Sequence, residues 1–215
     1  MSKITTDLLN ESCTDISDWT DGDSGDGVSE VSPAGQFKFY STGESWTRRY
    51  RTITTPPDTF SLEIKTYFKT LSVVYNATAA PKVSYGNSTW QLSVAFGTNG
   101  IYIYKANKAS GAAGEIGTDI LKQNATAAWQ TWRFEVNKTT EASATVEVFL
   151  KEESGAFASQ GTFDCDYETS GTDGRIDIGN TAYEAEGQNL EFYIDYIKLG
   201  TGLGEFETNG FFLFF

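Results

Sequence analysis

The sequence predicts an all-β chain folded as a two-sheet antiparallel β-sandwich of about a dozen short strands. Three observations carry that prediction. Apolar residues recur at every second position along much of the chain, turn-forming residues separate these runs, and no stretch shows the spacing of an amphipathic helix.

The elements follow in order. Arg48-Arg49-Tyr50-Arg51 lies on an alternating stretch and reads as a solvated strand face. After the turn Pro56-Pro57-Asp58, Leu62, Ile64 and Phe68 alternate with Glu63, Lys65 and Tyr67. Trp90, Leu92, Val94 and Phe96 alternate with Gln91, Ser93 and Ala95, and the turn Thr98-Asn99-Gly100 closes that run. Ile101 and Ile103 then stand opposite Tyr102 and Tyr104, an outward aromatic pair. Residues 105–128 are rich in Ala, Gly and Asn and read as a long loop with one short strand at Glu115 to Leu121. Trp132, Phe134 and Val136 restart the alternation, followed by Val146, Val148 and Leu150, the turn Thr172-Asp173-Gly174, and Phe192, Ile194 and Tyr196. Strands this numerous, each apolar on one face, bury those faces only by stacking two sheets.

The sandwich is expected to span residues 1–200, and residues 201–215 read as a linker with an apolar tail. That tail is Phe211, Phe212, Leu213, Phe214 and Phe215. Each such side chain left in water forgoes roughly 1.5–3 kcal/mol of burial. The tail is therefore expected to dock on a neighbouring subunit, the competing place being the domain's own surface.

Composition excludes several function classes. With 16 Lys and Arg against 29 Asp and Glu, the net charge of −13 disfavours nucleic acid and anionic membrane as partners. The absence of histidine removes serine triads, His-based zinc sites and His-ligated haem. Cys13 and Cys165 are too distant in sequence for CxxC chemistry; they are one disulfide or two buried thiols, the reduced form being favoured. The N-terminus lacks the apolar core of a secretory signal, and no run reaches transmembrane length.

Three segments carry a resemblance. Leu8-Leu9-Asn10-Glu11 with Trp19-Thr20, Trp129-Gln-Thr-Trp132-Arg-Phe-Glu-Val136, and Phe192-Tyr-Ile-Asp195-Tyr-Ile-Lys-Leu199 resemble the opening, a central and the closing strand of concanavalin A-like lectin/glucanase jelly rolls. The resemblance covers roughly residues 7–200. It implies a fold shared by glucanases, lectins, carbohydrate-binding modules and phage surface domains, and fixes no function.

Two motifs are weighed against that resemblance. Asp164-Cys-Asp166-Tyr-Glu168 is similar to the glucanase E-x-D-x-E strand. Its first acid is one methylene short, however, and retaining hydrolysis needs carboxyls only about 5–5.5 Å apart. The chain is therefore expected not to be an enzyme. Asp18-Trp-Thr-Asp-Gly-Asp-Ser-Gly-Asp-Gly27 fails the EF-hand pattern, because counting from Asp21 places Gly25, Asp26 and Ser32 where ligand, glycine and glutamate belong. The resemblance instead implies one structural calcium between Glu11 and Asp195, clamping the chain ends.

Glycan or partner contacts are expected at Trp46, Tyr102 and Tyr104. An untargeted chain, an extracellular type of fold and a tail that seeks a partner point together to a phage virion surface protein, a capsid decoration or fibre-like subunit with host-glycan adhesion as a secondary role. Its partners would be other virion subunits or copies of itself. The competing expectation is a carbohydrate-binding module from a secreted protein.

Overall fold

The computed structural model describes residues 3–42, 45, 47–54, 56–71, 81–86, 90–97, 100–107, 112–115, 128–140, 143–165, 174–180 and 190–207. Among them are seventeen strands and no helix. In chain order they are β1 (Lys3–Ile4), β2 (Leu9–Glu11), β3 (Thr20–Asp21), β4 (Val28–Val31), β5 (Phe37–Ser41), β6 (Arg48–Thr52), β7 (Thr59–Leu71), β8 (Lys82–Gly86) and β9 (Gln91–Gly97). They continue with β10 (Gly100–Asn107), β11 (Ala112–Glu115), β12 (Trp129–Thr140), β13 (Ser143–Glu152), β14 (Ala158–Asp164), β15 (Arg175–Gly179), β16 (Leu190–Thr201) and β17 (Glu205–Phe206). The excess over a dozen comes from two- and three-residue strands, too short to show alternation in sequence.

The larger sheet runs β14-β13-β12-β7-β16-β5-β4, with β2 also paired to β16. The smaller runs β11-β10-β9-β8-β15-β6-β3. Every pairing within the two sheets is antiparallel. The closing strand β16 inserts between β7 and β5 and also pairs with β2, so an early and a late strand meet in the larger sheet.

Side chains alternate across a strand, so every second residue of β7 and β12 enters one core. Phe60, Leu62, Ile64 and Phe68 do so from β7, and Trp132, Phe134 and Val136 from β12, all fully or nearly fully buried. Opposite them stand Tyr85, Trp90, Phe96 and Ile176 of the smaller-sheet layer. Phe60 meets Tyr85 edge-on at 5.0 Å, and Phe96 meets Phe68 at 5.4 Å and Trp132 at 6.3 Å. These aromatic contacts join the two layers.

The remaining residues of each strand face outward. On the larger sheet these include Glu63, Lys65, Tyr67, Trp129, Thr131 and Tyr193. On the smaller sheet they include Arg48, Tyr50, Ser84, Ser93, Arg175 and Asp177.

Three expectations are corrected here, and a fourth lies largely outside the described residues. The basic run of β6 is not a solvated face: Arg49 and Arg51 pair with Ile178 and Ile176, whose side chains enter the core, and only Arg48 and Tyr50 share the outer face. The alternation Phe192, Ile194, Tyr196 breaks at a bulge, because Ile194 pairs with Thr66 and Tyr196 with Lys65, which turns Tyr196 outward. The boundary at residue 200 moves, since β16 continues to Thr201 and β17 pairs in parallel with β1, burying Phe206. The short strand of the long loop lies at Ala112–Glu115, and residues 116–121 lie outside the described residues.

Candidate functional site

On the smaller sheet, β15 and β6 place Asp177 between two arginines. Arg48 donates to Asp177 Oδ1 from Nε at 2.8 Å and from Nη2 at 2.5 Å, and Arg175 Nε donates to Oδ2 at 2.6 Å. The Asp177 side chain keeps 7% of its exposure, while Arg48 and Arg175 keep 28% and 25%. Both guanidinium groups also lie over the Tyr50 ring, 5.5 and 4.8 Å from its centre. Gly179 makes the approach of β15 to β6 possible, because it holds φ at +118° and a Cβ there would collide with the Thr47 carbonyl. A carboxylate shared by two guanidinium groups leaves one net positive charge. The guanidinium N–H groups not engaged by Asp177 have the chemistry that suits a second carboxylate or an ester-borne anion. Beside this group Ser84 and Ser93 face each other across β8 and β9 with hydroxyls 3.1 Å apart.

On the larger sheet, β12, β7 and β16 carry an aromatic row. Trp129 pairs with Tyr67 in register, and Tyr67 with Tyr193. Ring centres are 5.4 Å apart for Tyr67 and Trp129 and 6.0 Å for Tyr67 and Tyr193. Charged groups around the row are paired: Lys65 Nζ lies 2.7 Å from Asp195 and Lys69 Nζ 3.0 Å from Glu191. Tyr193 donates to Glu191 at 2.5 Å; burial first, and then this bond, push its phenol up to about 12. Burial works against the Glu191 carboxylate, yet the bonds from Tyr193 and Lys69 prevail and hold it below the usual range. Tyr196, turned outward by the bulge, donates to Glu63 at 2.9 Å; burial and that neighbouring carboxylate raise its phenol as well.

Neither face was singled out from sequence. The arginine pair joins residues 127 positions apart in number, and the aromatic row joins three separate strands, so only the register assembles them. The available signal was the outward parity of Tyr67 and Tyr193 within their alternating runs.

The expected site residues are placed as follows. Glu11 accepts from the Cys13 N–H at 2.8 Å, from Trp19 Nε1 at 3.0 Å and from Arg51 at 3.4 Å. Asp195 is met by the Lys65 ammonium. The pair does not fit a calcium ion with these side-chain positions, because an ammonium stands where a cation would bind Asp195 and N–H donors occupy the Glu11 oxygens. Among the described residues no group of three or more acidic or thiol side chains is arranged to hold a metal.

The acidic opening stretch is an anchored loop. Asp23 accepts from Ser29 N at 2.8 Å, Ser29 Oγ at 2.6 Å and Arg48 N at 2.7 Å, and Asp21 and Asp18 pair with Arg49 and Arg51. Cys13 and Cys165 are both buried thiols that form no disulfide, and burial pushes the Cys13 thiol well up.

Tyr102 and Tyr104 occupy β10 positions opposite Ala95 and Glu115, alternating with core residues Ile101 and Ile103, and their side chains lie outside the described residues. Trp46 and the tail Phe211, Phe212, Leu213, Phe214 and Phe215 also lie outside them. Asp164 ends β14 at the edge of the larger sheet, and Asp166 and Glu168 lie outside the described residues.

No family model matches the chain, and no curated protein does. Solved structures do. The endo-β-1,4-glucuronan lyase of the fungus Trichoderma reesei superposes with a TM-score of 0.60 at 7% identity, over 90% of this chain and 94% of its own. The PL-14 alginate lyase of Aplysia kurodai gives 0.56 at 12% identity, over 83% and 89%. A carbohydrate esterase of the Shiga toxin-encoding bacteriophage phi24B gives 0.55 at 10% identity, over 94% and 100%. At such identities the likeness is one of fold, and the fold is the concanavalin A-like jelly roll. The expectation that the chain is not an enzyme is overturned by these matches: all three proteins are enzymes, so the fold carries catalysis as readily as binding. That expectation rested on one failed glucanase motif, and other enzymes of this fold need not place their chemistry on that strand.

Proposed function

We propose that the outer face of the smaller sheet recognises an acidic polysaccharide, the carboxylate of a sugar unit docking against Arg48 and Arg175. The observation that carries this reading is the two-arginine group around buried Asp177. In a chain of net charge −13, two part-exposed guanidinium groups side by side on one sheet face give an anionic ligand a place to dock. Two structures that share the fold are named as lyases of alginate and of glucuronan, polymers of uronic acids, which supports the same ligand class. The setting we propose is the surface of a phage particle. The phage esterase, which shares the fold over nearly the full length of both chains, supports that setting, and so does the apolar tail expected to dock on a neighbouring subunit.

Affinity electrophoresis in gels containing alginate or polyglucuronate tests the site. The wild-type chain should be retarded, and Arg175→Ala should release it with a loss of about tenfold or more in affinity, on the scale of one charge-assisted bidentate contact. Added salt should weaken binding in step. Equal retardation of wild type and variant would remove Arg175 from the site. The same incubation, followed by the ultraviolet absorbance of unsaturated sugar ends, measures any eliminative cleavage.

A further inference from the structure

We propose that the outer face of the larger sheet is a second and independent binding site, taking a neutral glycan chain laid across the strands over Trp129. Trp129 forms the wall between two cavities, one of about 410 Å³ reaching Tyr67, Lys69 and Tyr193, the other of about 240 Å³ reaching Lys65, Thr131 and Tyr196. The larger is a shallow depression open to solvent, and because both are lined by Trp129 the two adjoin there as one shallow groove. Tyr67, Trp129 and Tyr193 stand on adjacent strands, which lie about 4.8 Å apart, so a chain crossing the sheet at right angles meets one ring per strand.

The chemistry of the groove matches a sugar. A pyranose presents C–H groups on its faces and hydroxyls around its rim. The rings serve the faces, the Lys65 ammonium lying 5.0 Å from the Trp129 ring centre on one side of the indole, and the rim meets paired donors and acceptors: Lys65 with Asp195, Lys69 with Glu191, and the Tyr193 hydroxyl with Glu191. The charges select a neutral chain. Lys65, Lys69 and Lys151 are set against Glu152, Glu153, Asp195 and Glu191, so the groove offers no surplus cation, in contrast to the arginine face. A protein partner fits less well, because a stable protein interface needs a wider apolar core than three half-buried rings supply, and the exposed large hydrophobics among the described residues, Val28 and Leu203, lie off the groove. The ring planes turn by 44° and 65° along the row. Such a row suits a twisted soluble chain and not the flat face of a crystalline polysaccharide.

Titration calorimetry of the full chain with soluble β-1,4-linked hexasaccharides of glucose, xylose and mannose tests the proposal. At least one should bind. Trp129→Ala and Tyr193→Ala should each weaken it about tenfold, ~1.4 kcal/mol, with unchanged melting cooperativity, whereas Arg175→Ala should leave it intact. Absence of binding by all three sugars overturns the site, whatever the polyuronate gels show. Binding that survives both aromatic substitutions also overturns it. Binding lost with Arg175→Ala would mean that a single face, the arginine one, holds both ligand classes.

Discussion

Single residues show how an acidic chain holds itself together. Asp23 lies in a loop that composition alone would leave to solvent, yet its carboxylate gathers the N–H and hydroxyl of Ser29 and the N–H of Arg48, with Arg49 Nη2 3.9 Å away. Those bonds fasten the loop to the strand that carries Arg48. Removing the carboxylate strands three donors, each charge-assisted bond being worth roughly 1.5–3 kcal/mol when buried. Asp23→Ala is expected to lower unfolding free energy by about 3 kcal/mol, measured by urea denaturation, and to weaken polyuronate binding by loosening Arg48. The arginines are visible in the sequence, where alternation alone reads them as one solvated face. Charge said that they were polar; only the register said which side of β6 each occupies.

At the scale of elements, the alternation of β7, β9, β12, β13 and β16 was legible because each is long and half-buried. What alternation missed was the bulge at Asp195, since one extra residue changes parity without changing composition. It also missed a polar pair inside the core. Thr66 and Gln130 face each other across β7 and β12, both buried, and among the described residues neither the Thr66 hydroxyl nor either amide atom of Gln130 has a hydrogen-bond partner. Leaving buried polar groups unpaired costs more than replacing them with apolar groups of similar shape. The double variant Thr66→Val/Gln130→Met is expected to raise the midpoint of thermal unfolding by a few degrees, corresponding to about 1–2 kcal/mol. A lowered midpoint would show that the pair meets water or another partner in solution.

At the scale of the whole molecule, the described packing runs through β17 as far as Glu207. Residues through Glu207 belong to the sandwich, the Glu207 N–H donating to the Ile4 carbonyl at 3.0 Å. Ending the chain there therefore removes the aromatic end without touching the described packing. Deleting residues 208–215 is expected to leave melting nearly unchanged and to reduce the mass observed by light scattering to that of one chain. If the shortened chain stays associated, the interface lies elsewhere on the sandwich. The overall charge of −13 sets the background for both proposed sites: it slows the approach of an anionic polymer and leaves a neutral one unaffected, so association rates should respond to salt on the arginine face alone.

The sequence by itself determined the layered all-β architecture, because a period-two pattern of large apolar residues can be buried only by stacking sheets. It determined the chemical exclusions too, since a residue type that is absent cannot act. Both sites were decided by tertiary structure. Arg48 meets Arg175 and Asp177, and Trp129 meets Tyr67 and Tyr193, through pairings between strands distant in sequence, and pairing register is a property of the folded sheets that no local pattern encodes.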